Sequence, residues 1–154
     1  MKRIITVILS LAASLVVMAQ VRITTPETEL IIKADKGADL QILYFGARLS
    51  DADAANIEAA GVPGHSAYRA YGLWCASEAS LGVTHADGNL STSLKVESVM
   101  QSDVIDNSIV PKVVMKDAVY PFYVTVCYRA YQDVDMIETW TEIANLGKKP
   151  VTLT

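Results

Sequence analysis

Two carboxylates held about 5–10 Å apart can divide acid and base duties between them. The pairs to weigh are Asp51 with Asp53, Asp133 with Asp135, and Glu138 with Glu142. Asp133 and Asp135 bracket Val134 in a short turn expected to stand open to water. Glu138 and Glu142 share one face of an expected strand, with Trp140 between them. Strand residues four apart are separated by roughly 13 Å, too far for a pair working across one bond. All three pairs read better as solvated surface. The two histidines, His65 and His85, fall in a Gly-rich loop and before a turn. His85 with Asp87 falls short of the three or four ligands a metal site needs, so both histidines are expected to face solvent. No Gly-x-Ser-x-Gly elbow is present, and neither Cys75 nor Cys127 has a His near it in sequence. Catalytic residues, a metal and a cofactor are therefore not expected within this chain. The two cysteines have 51 residues between them. A disulfide is possible, but both sit in apolar surroundings where Cys behaves as a small buried hydrophobe, and unpaired thiols are favoured.

One cluster stands apart. Tyr68-Arg69-Ala70-Tyr71-Gly72-Leu73-Trp74 gathers three aromatics and an Arg beside a long loop. Flat rings with a few polar groups suit a sugar, whose C–H face stacks and whose hydroxyls hydrogen-bond. Tyr68, Tyr71 and Trp74 are thus candidate carbohydrate contacts. The competing reading is that these rings pack on the domain's own core or against a neighbouring domain.

The elements that would carry these residues are strands. Period-2 alternation bounded by Gly, Pro and Asp marks Val21–Thr25, Glu29–Ala34, Asp39–Phe45, Ser80–His85, Thr92–Met100, Ile109–Lys116, Tyr120–Tyr131 and Met136–Ala144. A further strand begins at Pro150. In Tyr120–Tyr131 the residues Phe122, Val124, Val126 and Tyr128 share one face. Asp87-Gly88 signals a hairpin, and Pro111 marks a bulge or an edge. Residues 47–70 read as a long loop containing a short helix near 51–60. About eight strands with turns every 8–12 residues predict an all-β antiparallel sandwich.

Residues 1–19 stand outside that pattern. Lys2 and Arg3 precede an apolar stretch from Ile4 to Met18, and Val17-Met18-Ala19 offers small residues at the −3 and −1 positions of a cleavage site. This predicts a secretory signal peptide cleaved between Ala19 and Gln20. The run is about 15 residues, short of the roughly 20 that span a bilayer. The expected product is exported, to the periplasm or beyond, with no membrane association after cleavage. Residues 1–19 carry two bases and no acid, so the net charge falls from −4 to −6 without them. That balance disfavours nucleic acid as a partner. The domain is expected to span residues 20–154 and, because Val151–Thr154 breaks off inside a strand pattern, to continue beyond it.

Three stretches carry a resemblance. They are Ala34–Gly46 (ADKGADLQILYFG), Tyr71-Gly72 followed by Glu78–Leu94, and Asp117–Tyr128 continuing to Ile137–Ile143. In order and spacing they resemble the amino-terminal domain of family 36 glycoside hydrolases, the α-galactosidases. The resemblance implies a β-supersandwich of galactose-mutarotase type preceding a (β/α)₈ barrel. It implies hydrolysis of terminal α-galactosides with retention, by two Asp residues that belong to the barrel. No position in this chain inherits either role. In tetrameric members a loop of the sandwich reaches an active site, so oligomers are possible. The matching region is Tyr71–Glu78, although residues 73–77 depart from the polar pattern expected there. The implied partners are the catalytic barrel and α-galactoside sugars. Two other readings are a stand-alone carbohydrate-binding module and a structural or partner-docking domain.

Overall fold

The computed structural model describes residues 20–72, 78–105 and 108–154. The expected signal segment, Trp74 and Cys75 lie outside the described residues.

Alternating sequence becomes alternating burial. The strands β1 (Gln20–Thr24), β2 (Thr28–Lys33), β3 (Gln41–Ala47) and β4 (His65–Ser66) form one antiparallel sheet in that order. The strands β6 (Leu94–Ile105), β7 (Ser108–Asp117), β8 (Phe122–Tyr131) and β9 (Met136–Asn145) form a second. Val21, Ile23, Leu30 and Ile32 of the first pack with Val96, Val113, Met115, Phe122, Val124, Val126 and Tyr128 of the second in one core. Removing that apolar surface from water is the main force joining the sheets. The all-β sandwich is therefore present, with Phe122, Val124, Val126 and Tyr128 facing the core as their spacing requires. Cys127, on the opposite face of β8, is also fully buried.

The long loop holds α1 (Asp51–Ala59). Ser50 caps it: its Oγ accepts from the Asp53 N–H at 3.2 Å and donates to Asp53 Oδ2 at 2.7 Å. This satisfies a backbone donor that the first turn leaves without a helical partner. Ala54 is buried and the helix packs on β3. Below it, Glu29 is fully buried and bonded to Arg22, which also reaches Asp51 at 2.7 Å.

Register irregularities shape the sheets, one of them between Val96 and Ser98 of β6. In β2–β3 the register passes from Ile31↔Tyr44 to Ile32↔Ile42, leaving Leu43 as an extra residue, a β-bulge. In β6–β7 it jumps from Met100↔Lys112 to Asp103↔Val110, so Pro111 does sit at a bulge.

The hairpin expected around Asp87-Gly88 does not form between neighbouring strands. The turn is made, with Gly88 at φ +87°, where a side chain would be strained, and with the Gly88 N–H donating to His85 O at 2.8 Å. However, the preceding β5 (Val83–Thr84) pairs with β10 (Thr152–Leu153) instead of β6. Turn chemistry specifies a reversal locally, but the partner is set by distant packing.

Candidate functional site

The aromatic segment is fastened by its backbone. Ala67 N–H donates to Leu40 O at 2.9 Å, Ser80 N–H to Arg69 O at 2.8 Å, and Tyr71 N–H to Leu81 O at 2.9 Å. Thr92 N–H then donates to Tyr71 O at 3.1 Å. Gly72 follows at φ +116°, where a Cβ would come within 2.5 Å of Ser91 Cα. The close approach to Ser91 and the left-handed backbone both require glycine there.

This fastening separates the candidate rings. Tyr68 is half-buried against the core, and its hydroxyl hydrogen-bonds to Thr141 of β9. Burial pushes that hydroxyl's pKa up, and the bond to Thr141 offsets part of the rise. Tyr68 also lines a cleft of about 460 Å³ with Asp39, Ser66, Arg69, Thr92 and Lys95. Lys95 Nζ lies 2.8 Å from Asp39 Oδ1. Tyr71, 53% exposed, lines a different cleft of about 300 Å³ with Val83, Leu90 and Thr154. The two tyrosines are therefore not brought to one surface.

His85 does not face solvent as expected: it is buried, with Nε2 3.0 Å from Thr92 Oγ1. Its ring stacks on Tyr120 with centroids 3.7 Å apart and meets Phe122 edge-on at 5.8 Å. A position before a turn suggested solvent, but the rings of Tyr120, just before β8, and Phe122, its first residue, cover it. Tyr120 in turn donates to Asp87 Oδ2 at 2.8 Å and accepts from Asn89 Nδ2 at 2.9 Å. The Asn89 backbone N–H, followed by the Tyr120 hydroxyl, holds the Asp87 carboxyl below its usual range. His85, Asp87 and Tyr120 wall a third cleft of about 320 Å³ with Asn145 and Lys149. His65 is exposed on β4, as expected.

The remaining carboxylates serve the fold. Buried Asp117 accepts from the Ser93 N–H at 2.6 Å and from the Val119 and Tyr120 N–H groups at 2.8 Å each. Asp135 is more than a solvated turn residue. It accepts from the hydroxyls of Thr25 and Thr28, tying the β8–β9 turn to the β1–β2 turn across the two sheets. Those hydroxyls lower its pKa. Glu142 accepts from Lys112 at 3.0 Å, the largest cause of its own lowered pKa, and lies 3.6 Å from Cys127 Sγ. Glu138 accepts from the Tyr131 hydroxyl at 2.8 Å. Among the described residues no group of three or more His, Cys, Asp or Glu is arranged to hold a metal ion.

Fold and clefts together define an antiparallel β-sandwich module with aromatic and ion-paired depressions on its surface. Residues 38–154 match the model of the glycosyl hydrolase family 36 N-terminal domain, and the chain belongs to that family. Solved structures agree on the fold. The α-galactosidase from Lactobacillus brevis is 17% identical with a TM-score of 0.70, over 88% of this chain and 23% of its own. The family 36 α-galactosidase AgaA from Geobacillus stearothermophilus, solved with 1-deoxygalactonojirimycin, is 17% identical with a TM-score of 0.72 over the same shares. AgaB from the same organism is 17% identical with a TM-score of 0.70, over 87% of this chain and 22% of its own. The chain thus spans less than a quarter of the length of these enzymes. No curated protein matches it.

Proposed function

We propose that this chain is the non-catalytic leading domain of an exported α-galactosidase-like hydrolase. In that role it supports a (β/α)₈ barrel that cleaves terminal α-galactosides with retention. The observation that carries the reading is the family match over residues 38–154, in a sandwich superposing on under a quarter of α-galactosidase chains. Two further features favour it. The carboxylates Glu29, Asp87, Asp117 and Asp135 are each engaged in bonds that hold loops and turns, which suits a scaffold more than a reaction centre. Phe45, Val62, Val119 and Leu146 are large apolar side chains each at least 65% exposed in this domain on its own.

The test is expression of the whole chain in a bacterial host. N-terminal sequencing of the exported product is expected to begin at Gln20. The purified protein is expected to leave an aryl α-galactoside unhydrolysed. Turnover that co-purifies with the chain through successive columns would sink the scaffold reading. A product retained in the cytoplasm with Met1 intact would sink the export reading.

A further inference from the structure

We propose that the cleft between Asp39, Tyr68 and Lys95 is a binding site for a neutral pyranose sugar. The cleft holds about 460 Å³, within the roughly 300–1,000 Å³ of small-molecule sites. One lining residue is an anchored aromatic, Tyr68. Tyr68 is held at one end by the backbone bonds that flank it and at the other by its hydroxyl on Thr141. A fixed flat ring offers the C–H face of a sugar contact area at little entropic cost.

Lys95 and Asp39, which line the same cleft as Tyr68, form an exposed ion pair at 2.8 Å. An ammonium carries three donors and a carboxylate four acceptor sites, so one mutual bond leaves both able to bind neighbouring hydroxyls. Vicinal sugar hydroxyls, each donor and acceptor, match that arrangement. Buried Leu94 and partly buried Ala70 give the lining an apolar share.

An apolar ligand fits worse, because it would strip water from the ion pair without replacing its hydrogen bonds. A small anion reaching Lys95 would meet the Asp39 carboxylate, while Arg69, which also lines the cleft, would attract it, so the galacturonate titration below discriminates neutral from anionic ligands. The site is separate from the Tyr71 cleft, and the inference rests on geometry alone. Its failure would leave the scaffold reading standing, and the hydrolysis assay would leave this inference standing.

The experiment titrates the full chain with methyl α-galactoside, methyl α-glucoside and galacturonate, followed by amide chemical shifts. Saturable millimolar binding of a neutral glycoside is expected, with shifts centred on Asp39, Ser66, Tyr68 and Lys95. Lys95→Met, which keeps the side-chain stem, is expected to weaken binding about fivefold, the loss of roughly one net hydrogen bond. Asp39→Asn should weaken it similarly. Tyr68→Phe keeps the ring and should bind, whereas Tyr68→Leu should not. If Tyr68→Leu fails to fold, the two surface variants decide. Absence of saturation with both glycosides overturns the proposal, as do shifts centred elsewhere or affinities unchanged in Lys95→Met and Asp39→Asn. Tighter binding of galacturonate than of either glycoside overturns the neutral-ligand assignment.

Discussion

The strands β8 and β9 are paired over ten consecutive residues, yet they live in different environments. Val124 is fully buried, while its direct partner Ile143 is 38% exposed on the same face. Tyr128 is buried, and its partner Thr139 is open to water. The opposite sheet repeats this: Leu30 is buried beside Phe45, which is 68% exposed. Alternation decides which face a side chain takes. Burial also needs a second layer overhead, and here that layer covers β8 while reaching β9 only in part, at Ile137 and Thr141.

The largest expected effect lies under that cover. Phe122→Ala on β8 should cost about 3–5 kcal/mol in urea unfolding, as a large cavity in a packed core does. A loss below about 1 kcal/mol would show that the core is as loose at β8 as at β9. Next comes Glu29→Gln beneath α1, expected to cost about 2–3 kcal/mol, discounted because Arg22 is partly exposed.

Glu29 also sets a pH dependence. Burial would raise its pKa, but the Arg22 bond, the Leu49 N–H and the charges of Arg22 and Arg48 outweigh that and lower it. Its contribution is therefore complete above the ordinary glutamate value of 4.5 and disappears as pH falls through the lowered folded value. Wild type should lose stability more steeply than Glu29→Gln in acid. A pair of parallel acid profiles would refute the assignment.

On the alkaline side, burial pushes the Tyr128 hydroxyl up to about 12. The folded state then keeps a proton that the unfolded chain releases near 10.0. Stability should fall as pH rises between those values, and Tyr128→Phe should flatten the fall. The smallest effect is expected from Ile143→Ala on β9, within about 0.5 kcal/mol as for other surface positions. A loss comparable to Phe122→Ala would mean that β9 is covered in solution, contrary to the contrast drawn with β8.

Much of this architecture is legible in local sequence. The face assignment of β8, the helix in the long loop and the bulge at Pro111 all follow from spacing or from a missing donor. What stayed hidden depends on partners remote in the chain. Asp87-Gly88 shows a reversal but cannot show that Thr84 pairs with Thr152. Asp135 looks like a turn residue until Thr25 and Thr28, over 100 residues earlier, close on it. His85 looks solvent-facing until the Tyr120 ring covers it. The candidate sugar cleft was half legible: Tyr68 and Arg69 stood out as neighbours in sequence, but Asp39 and Lys95 join them only through the packing of two sheets. No sequence signal separated Tyr68 from Tyr71, because their divergence depends on the backbone bonds between them.

The extra residue Leu43 has a further consequence. Along a regular strand, parity is a compass: odd residues face one way and even residues the other. The bulge resets that compass midway through β3, so Ile42 and Phe45 share a face although their numbers differ in parity. An ordinary one-residue deletion in a strand turns the downstream side chains over. Deleting Leu43 would instead straighten β3 and leave Tyr44 and Phe45 on the faces they already occupy.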